Sequence, residues 1–246
     1  MDNKKTVLVD MTRYNDLSGF GEIDRNFGPK LKNPPDIRFV FLVWAKDKGV
    51  LGQDKHYVTM ENLKRDIKAL GFGIDLWHST DQIFFTRKRM KPTKYLLTVH
   101  DLNFLYEKRG IHRLKHLLRM KWRVAHSDYI AVISQYVKHD LLSHIDVGNR
   151  PVEVVYNGIR DMTNAPQAKP KFIEDEGERF FFTIGQIREK KNFHLLIPMM
   201  RHFPSTKLYI CGLMNKHFKD RFMEIYEAEN PGNVVLTGGI SDAERT

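Results

Sequence analysis

Three cations and a glycine follow the apolar run FFFTI in the segment Gly185-Gln186-Ile187-Arg188-Glu189-Lys190-Lys191-Asn192. A glycine lets backbone approach a ligand, and cations where a strand leaves its sheet can clamp a pyrophosphate. The same composition also suits a solvated charged loop. A second segment, Leu17-Ser18-Gly19-Phe20-Gly21, follows the run TVLVDM and precedes a helical pattern. Its glycines allow close backbone approach, and the helix start behind them favours an anion. With two glycines it falls short of the three-glycine dinucleotide fingerprint, and an ordinary strand-to-helix turn fits it as well. His100, in Thr98-Val99-His100-Asp101-Leu102, stands just past the apolar run YLLTV. Ligands of open parallel sheets bind beyond that end of a strand. A histidine there can bond a sugar hydroxyl, or it can be a buried ring satisfied by Asp101 or the backbone. Asn157-Gly158 tolerates positive φ and marks a sharp turn.

These residues need elements to hold them. Residues 6–11, 37–43, 95–99, 129–133 and 152–156 are short and β-rich, while 21–31, 61–70, 111–125 and 135–144 show helical spacing or composition. Such alternation, with continuous apolar strands, predicts an α/β protein whose parallel sheet is covered on both faces. Residues 161–177 (DMTNAPQAKPKFIEDEG) are polar, hold two prolines and lack periodicity, so they read as an interdomain linker. Alternation then resumes with strands at 180–184, 208–211 and 234–236 and helices from about Phe193 and up to about Glu229. Ser241 is placed to cap a last helix, with Glu244 three residues on. A second sheet of three strands would leave an edge and apolar faces uncovered, so the chain is expected to stop short of a complete second domain.

In order, strand–SGFG–helix, LLTVHDL, SDYIAVISQYVKHDLL, VEVVYNGI, FFFTIGQIREKKNFHLLIPMM, LYICG and NVVLTGGISDAE resemble the running order of family 4 glycosyltransferases. The resemblance covers nearly the whole chain. It implies the GT-B fold: two Rossmann-like domains with parallel sheets facing each other across a cleft, the second incomplete. Residues 1–160 would form the N-terminal, acceptor-side domain, 161–178 the linker, and 179–246 part of a C-terminal nucleotide-sugar-binding domain. Ser134 would start a helix, and the YNGI turn, with Asn157 and Gly158, would be the hinge that closes the first domain. The family's G-R-x-x-x-x-K pattern places its Arg and Lys on the donor diphosphate. Gly185 and Lys191 match it; Gln186 departs from it, and Arg188 is expected to supply the missing charge. Gly239 and Ile240, in the loop 237–240, match a loop that lies against the nucleobase. Gly19 and Gly21 would form the opposing backbone wall, and His100 would touch the transferred sugar. His100, Arg188 and Lys191 are thus the catalytic candidates. The family's later Glu-x7-Glu stretch has no match, which implies little activity for these residues alone. The implied function is a retaining, hexosyltransferase-type enzyme that moves a sugar from a nucleotide-sugar donor to a glycan or lipid-linked acceptor in cell-surface polysaccharide synthesis. Neither a cofactor nor a metal is implied, the nucleotide-sugar being a co-substrate. A sugar-nucleotide epimerase of the same fold and a non-catalytic nucleotide- or membrane-binding fragment are the rival readings.

Charge narrows the partners. Of the formal net charge of +10, most lies in the first 165 residues, and residues 87–123 hold 12 Lys and Arg against Asp101 and Glu107. An anionic partner is expected there. Nucleic acid is disfavoured, because the basic residues lack the interleaved exposed aromatics of a stacking platform. In residues 108–123 (KRGIHRLKHLLRMKWR), Ile111, Leu114, Leu117, Leu118 and Trp122 recur at helical spacing between Arg113, Lys115, Arg119 and Arg123. The apolar stripe is expected to pack in the core, and the basic face either is solvated or meets an anionic membrane surface. The longest apolar run, FVFLVWA at 39–45, is too short to span a bilayer, and Asp10 ends the N-terminal run too early for a signal peptide. The lone Cys211 cannot form an internal disulfide. The expected location is cytoplasmic, peripheral on the inner membrane face.

Overall fold

The computed structural model describes residues 4–16, 18–32, 34–82, 93–158, 161, 163–173 and 177–245. The chain divides into two compact units, Met1–Ile159 and Arg160–Thr246.

The N-terminal unit runs β1 (Lys5–Asp10), α1 (Gly19–Phe27), β2 (Ile37–Val43), β3 (His56–Thr59), α2 (Leu63–Ala69), β4 (Leu76–Ser79), β5 (Lys94–Val99), α3 (Phe104–Glu107), α4 (Gly110–Ala125), β6 (Tyr129–Val132), α5 (Gln135–His144) and β7 (Val152–Val154). Its seven-stranded sheet has the order β3-β2-β1-β4-β5-β6-β7. Every pairing in it is parallel. Strand order reverses between β1 and β4, which opens a crevice beyond their carboxyl ends. In β2, Val40 to Val43 are fully buried, as a strand covered on both faces requires. Fully burying such a side chain stabilises by roughly 1.5–3 kcal/mol. Ser134 caps α5, its Oγ accepting from Val137 N at 3.2 Å.

Three expectations need correction. The sequence pattern does not mark strands β3 and β4, because HYVT and LWHS are only four residues each and carry too little apolar pattern. Helix α1 starts at Gly19 and ends at Phe27, short of residue 31, because Pro29 lies in the turn that follows and has no N–H for a helical bond. The apolar stripe of α4 is not core. Met120 and Val124 are buried with Leu117 packed against the same cluster, whereas Ile111, Leu114, Leu118 and Trp122 are exposed. The helix carries two apolar stripes, and the sequence pattern merged them.

The C-terminal unit runs β8 (Phe180–Ile184), α6 (Phe193–Met199), β9 (Lys207–Cys211), α7 (Lys219–Glu229), β10 (Val234–Gly238) and α8 (Asp242–Arg245). Its parallel sheet has the order β10-β9-β8. Ile197, Met200, Leu208, Ile210 and Phe222 centre its core, and Cys211 is buried and unpaired. Phe180, Phe181, Phe182 and Ile184 of β8 are exposed. Ser241 and Glu244 form the expected reciprocal cap on α8: Glu244 N donates to Ser241 Oγ at 3.2 Å, and Ser241 N to Glu244 Oε2 at 2.9 Å.

Candidate functional site

At the reversal of the first sheet, the ends of β1, β4 and β5 meet α1. Asp10 closes β1, and its Oδ1 accepts from Thr12 N at 3.0 Å and Thr12 Oγ at 2.7 Å. Asp24 of α1 accepts from Arg13 N at 3.2 Å. Thr80, just past β4, donates its hydroxyl to the Asp10 carbonyl at 2.7 Å, and Asp24 Oδ1 lies 3.3 Å from the same hydroxyl. Arg13 Nε donates to Asp81 at 3.2 Å. Next to them, His100 Nε2 lies 2.7 Å from the Thr80 carbonyl. A carbonyl only accepts, so Nε2 carries the proton and Nδ1 is the ring's acceptor. Gln82 bridges the ends of β4 and β5, accepting from His100 N at 2.9 Å and donating to the Asp101 carbonyl at 3.1 Å. Phe20 meets the His100 ring edge-on with centroids 4.9 Å apart.

The two glycines of the first loop have different surroundings. A Cβ on Gly21 would lie 2.0 Å from the Asp16 carbonyl oxygen, so the loop between β1 and α1 folds onto it, whereas a Cβ on Gly19 would meet nothing. Gly21 is therefore required by packing, and Gly19 is the glycine with open space beside it.

Burial raises the Asp10 carboxyl from its ordinary 3.8 to about 7, and burial together with the charge of Asp10 raises Asp24 to about 8. Burial, then the neighbouring His100, pulls His78 on β4 down to about 4. The acids set a sign. Between pH 4 and 8 Asp10 and Asp24 keep protons in the folded chain that the unfolded chain has released. His78 works the other way below about pH 6.5, but two carboxyls outweigh one imidazole, so stability falls as pH rises through that window, less steeply in its lower half. Urea midpoints of the N-terminal unit are therefore expected to drop from about pH 5 to pH 8. Asp10→Asn keeps an acceptor oxygen for Thr12 and should flatten the slope. Equal slopes in the two proteins would show that Asp10 does not titrate there.

In the C-terminal unit, each strand end carries a glycine with positive φ: Gly185 after β8 (148°), Gly212 after β9 (147°) and Gly238 closing β10 (73°). Their backbones crowd, since a Cβ on Gly212 would lie 1.9 Å from the Gly185 carbonyl oxygen. The ladder continues past them through Ile187 N donating to the Leu213 carbonyl and Asn215 N to the Ile187 carbonyl, both at 2.9 Å. That extension fixes the backbone from which Arg188 projects. Arg188 Nη2 donates to Gln186 Oε1, so the two residues at the departure from the family pattern touch. The buried Arg188 Nε finds no acceptor among the described residues. Lys191 ends the turn Glu189–Lys191, is exposed, and has no ion pair among the described residues. Asn192 follows in left-handed conformation at φ 57°. Gly239 is exposed and packs loosely beside Leu213, whose side chain is 3.6 Å from where a Cβ would sit, and Ile240 is half-buried.

Thus Gly19, Gly21 and His100 belong to the first unit, and Gly185, Arg188, Lys191, Gly239 and Ile240 to the second. Asn157 and Gly158 are exposed just after β7. Sequence reasoning missed Arg13, Asp24, Thr80, Asp81 and Gln82, and it read Asp10 only as the end of an apolar run. The available signal was an acid at the end of a strand just before a glycine loop. Among the described residues, no group of three or more His, Cys, Asp or Glu is placed to hold a metal ion.

Residues 28–161 match the family model Glycosyltransferase Family 4, and residues 164–245 match Glycosyl transferases group 1. A comparison with curated proteins found no match. Among solved structures, the chain is similar to Anabaena Alr3699/HepE in complex with UDP-glucose, with 14% identity and a TM-score of 0.65, covering 97% of this chain and 70% of that one. It is also similar to the apo form of the lipopolysaccharide outer core galactosyltransferase WaaB, with 14% identity and a TM-score of 0.57, covering 96% of this chain and 68% of that one.

Proposed function

The chain belongs to Glycosyltransferase Family 4 and has the GT-B fold, and from that premise we propose that it transfers a sugar, with retention at the anomeric carbon, from a nucleotide-sugar to a glycan or lipid-linked acceptor. The observation that carries the donor assignment is the buried Arg188 Nε without an acceptor among the described residues, near the strand ends at Gly185 and Gly238, where a Cβ would meet only Phe193 at 3.7 Å or nothing. A buried guanidinium N–H with no partner costs free energy that an anion seated there would recover. In this reading Arg188 and Lys191 hold the donor diphosphate, Gly185 lets it approach the backbone, and Gly239, Ile240 and Leu213 line the nucleobase. The bond from the anomeric carbon to the diphosphate breaks with both electrons leaving on oxygen. The acceptor hydroxyl bonds to that carbon on the same face and passes its proton to the departing diphosphate oxygen. The cations stabilise the charge that develops on the leaving group, where preorganised electrostatics act most strongly. Work on cell-surface polysaccharide at an anionic membrane completes the reading.

Calorimetric titration tests the donor half. UDP, GDP and ADP, each free and as a hexose conjugate, are titrated into the protein. We expect one diphosphate to bind and Arg188→Ala to weaken it about 10- to 100-fold, the range for a lost charge-assisted hydrogen bond. If no nucleoside diphosphate binds at millimolar concentration, or Arg188→Ala binds as well as the parent, the donor assignment falls.

A further inference from the structure

We propose that α4 is a membrane-docking element that lies flat in the interface of an anionic bilayer, its outward apolar stripe among the acyl chains and its cations among the headgroups. The first observation is the stripe. Ile111, Leu114, Leu118 and Trp122 fall at i, i+3, i+7 and i+11, and they are 71%, 48%, 56% and 37% exposed. Their exposure is not poor packing of the helix, because the opposite stripe of Leu117, Met120 and Val124 already holds it to the core. The second observation is charge. At 100° per residue, Lys115 and Arg119 fall on one side of the outward stripe and Lys121 on the other, all exposed, and α4 carries no acidic residue. An apolar face bordered by lysine and arginine is the composition of helices that lie in the plane of a membrane surface. Trp122, stacked on His126 at 4.2 Å between centroids, has the amphipathic ring that settles at the headgroup level.

The charge decides the occupant. A second copy of this chain docking through the same face would set Lys115, Arg119 and Lys121 against themselves, because a two-fold interface is self-complementary. A lipid surface presents phosphate to those cations and hydrocarbon to the leucines together. No helix among the described residues is long and apolar enough to cross a membrane, so docking in the plane is the mode this element offers. The inference rests on the membrane part of the function above and not on the donor site.

Cosedimentation with vesicles tests it without any donor, so its failure leaves the donor assignment standing, and the reverse. Vesicles of phosphatidylcholine alone are compared with vesicles containing one third phosphatidylglycerol. We expect binding to the anionic vesicles, weakened by salt. Lys115→Gln, Arg119→Gln and Lys121→Gln together should lower the partition coefficient about 100-fold, which corresponds to roughly 1 kcal/mol per cation. Leu114→Ser with Leu118→Ser should remove the part of binding that survives high salt. Leu114→Trp should strengthen binding, which keeps the proposal testable should a loss variant fold poorly. Binding that ignores lipid charge, partition unchanged in both loss variants, or a concentration-dependent dimer in place of vesicle binding would each overturn it.

Discussion

In a version of the chain that carries out transfer, Lys191→Ala is expected to reduce sugar transfer about 10²- to 10³-fold, by analogy with the loss of one preorganised donor to a developing oxyanion. The ammonium is exposed, has no ion pair among the described residues and ends a short turn, so its removal should leave the melting temperature unchanged. The effect should fall on kcat more than on KM, because charge on the diphosphate grows as its bond to the sugar breaks. Arg188 differs in kind. Its planar guanidinium touches Gln186 through one nitrogen and leaves Nε for the ligand, a fork that lysine cannot reproduce. Arg188→Lys should therefore recover only part of what Arg188→Ala loses. Rates are read with the nucleotide-sugar that binds best in the titration above. A Lys191→Ala protein with the parent kcat would remove Lys191 from the leaving-group site and leave Lys190 as the candidate cation.

Where the physics is local, the sequence is readable. Ser134 and Ser241 sit just ahead of helical patterns, and both cap helices, because a short hydroxyl side chain finds the first free N–H groups without help from distant residues. The strand IRFVFLV is equally plain, since a run buried on both faces needs no alternation. The carboxyl cluster at the crevice was not readable. It joins Asp10, Asp24 and Asp81, and the pairing of β1 with β4 that brings Asp10 and Asp81 near each other spans about seventy residues of chain. Nor does a four-residue strand such as LWHS announce itself. The two stripes of α4 failed for a different reason. Helical periodicity says that a face is apolar, and only the packing of Leu117, Met120 and Val124 says which apolar face is already used. The glycines divide along the same line: the sequence marks them as permissive, but only the structure separates Gly21, pressed on Asp16, from Gly19, which touches nothing.

Gly212→Ala is expected to be the most damaging single-methyl change in the C-terminal unit, and it tests whether the strand ends work as one cradle. The residue has φ 147°, where a side chain is strained in any surroundings, and its Cβ would lie 1.9 Å from the Gly185 carbonyl oxygen. The backbone conformation alone costs roughly 1–3 kcal/mol in a non-glycine residue. The clash adds to this, because the neighbour is backbone and cannot rotate away. Gly185 must then move, and with it the start of the segment that positions Gln186, Ile187 and Arg188. The melting temperature of this unit should fall by about 8 °C or more, taking 4–8 °C per kcal/mol for a domain of its size. Diphosphate affinity should fall further than the stability loss explains, since the folded protein that remains holds Arg188 in the wrong place. Gly239→Ala is the matched comparison. It adds the same methyl on the same edge, with Leu213 at an ordinary 3.6 Å and no positive φ, so its stability should stay within about 0.5 kcal/mol of the parent. Differential scanning calorimetry and titration of both variants with whichever of the three nucleoside diphosphates binds the parent make the measurement. If Gly212→Ala melts and binds like Gly239→Ala, the close backbone approach at the ends of β8 and β9 does not govern the donor site, and Arg188 must be positioned by Gln186 alone.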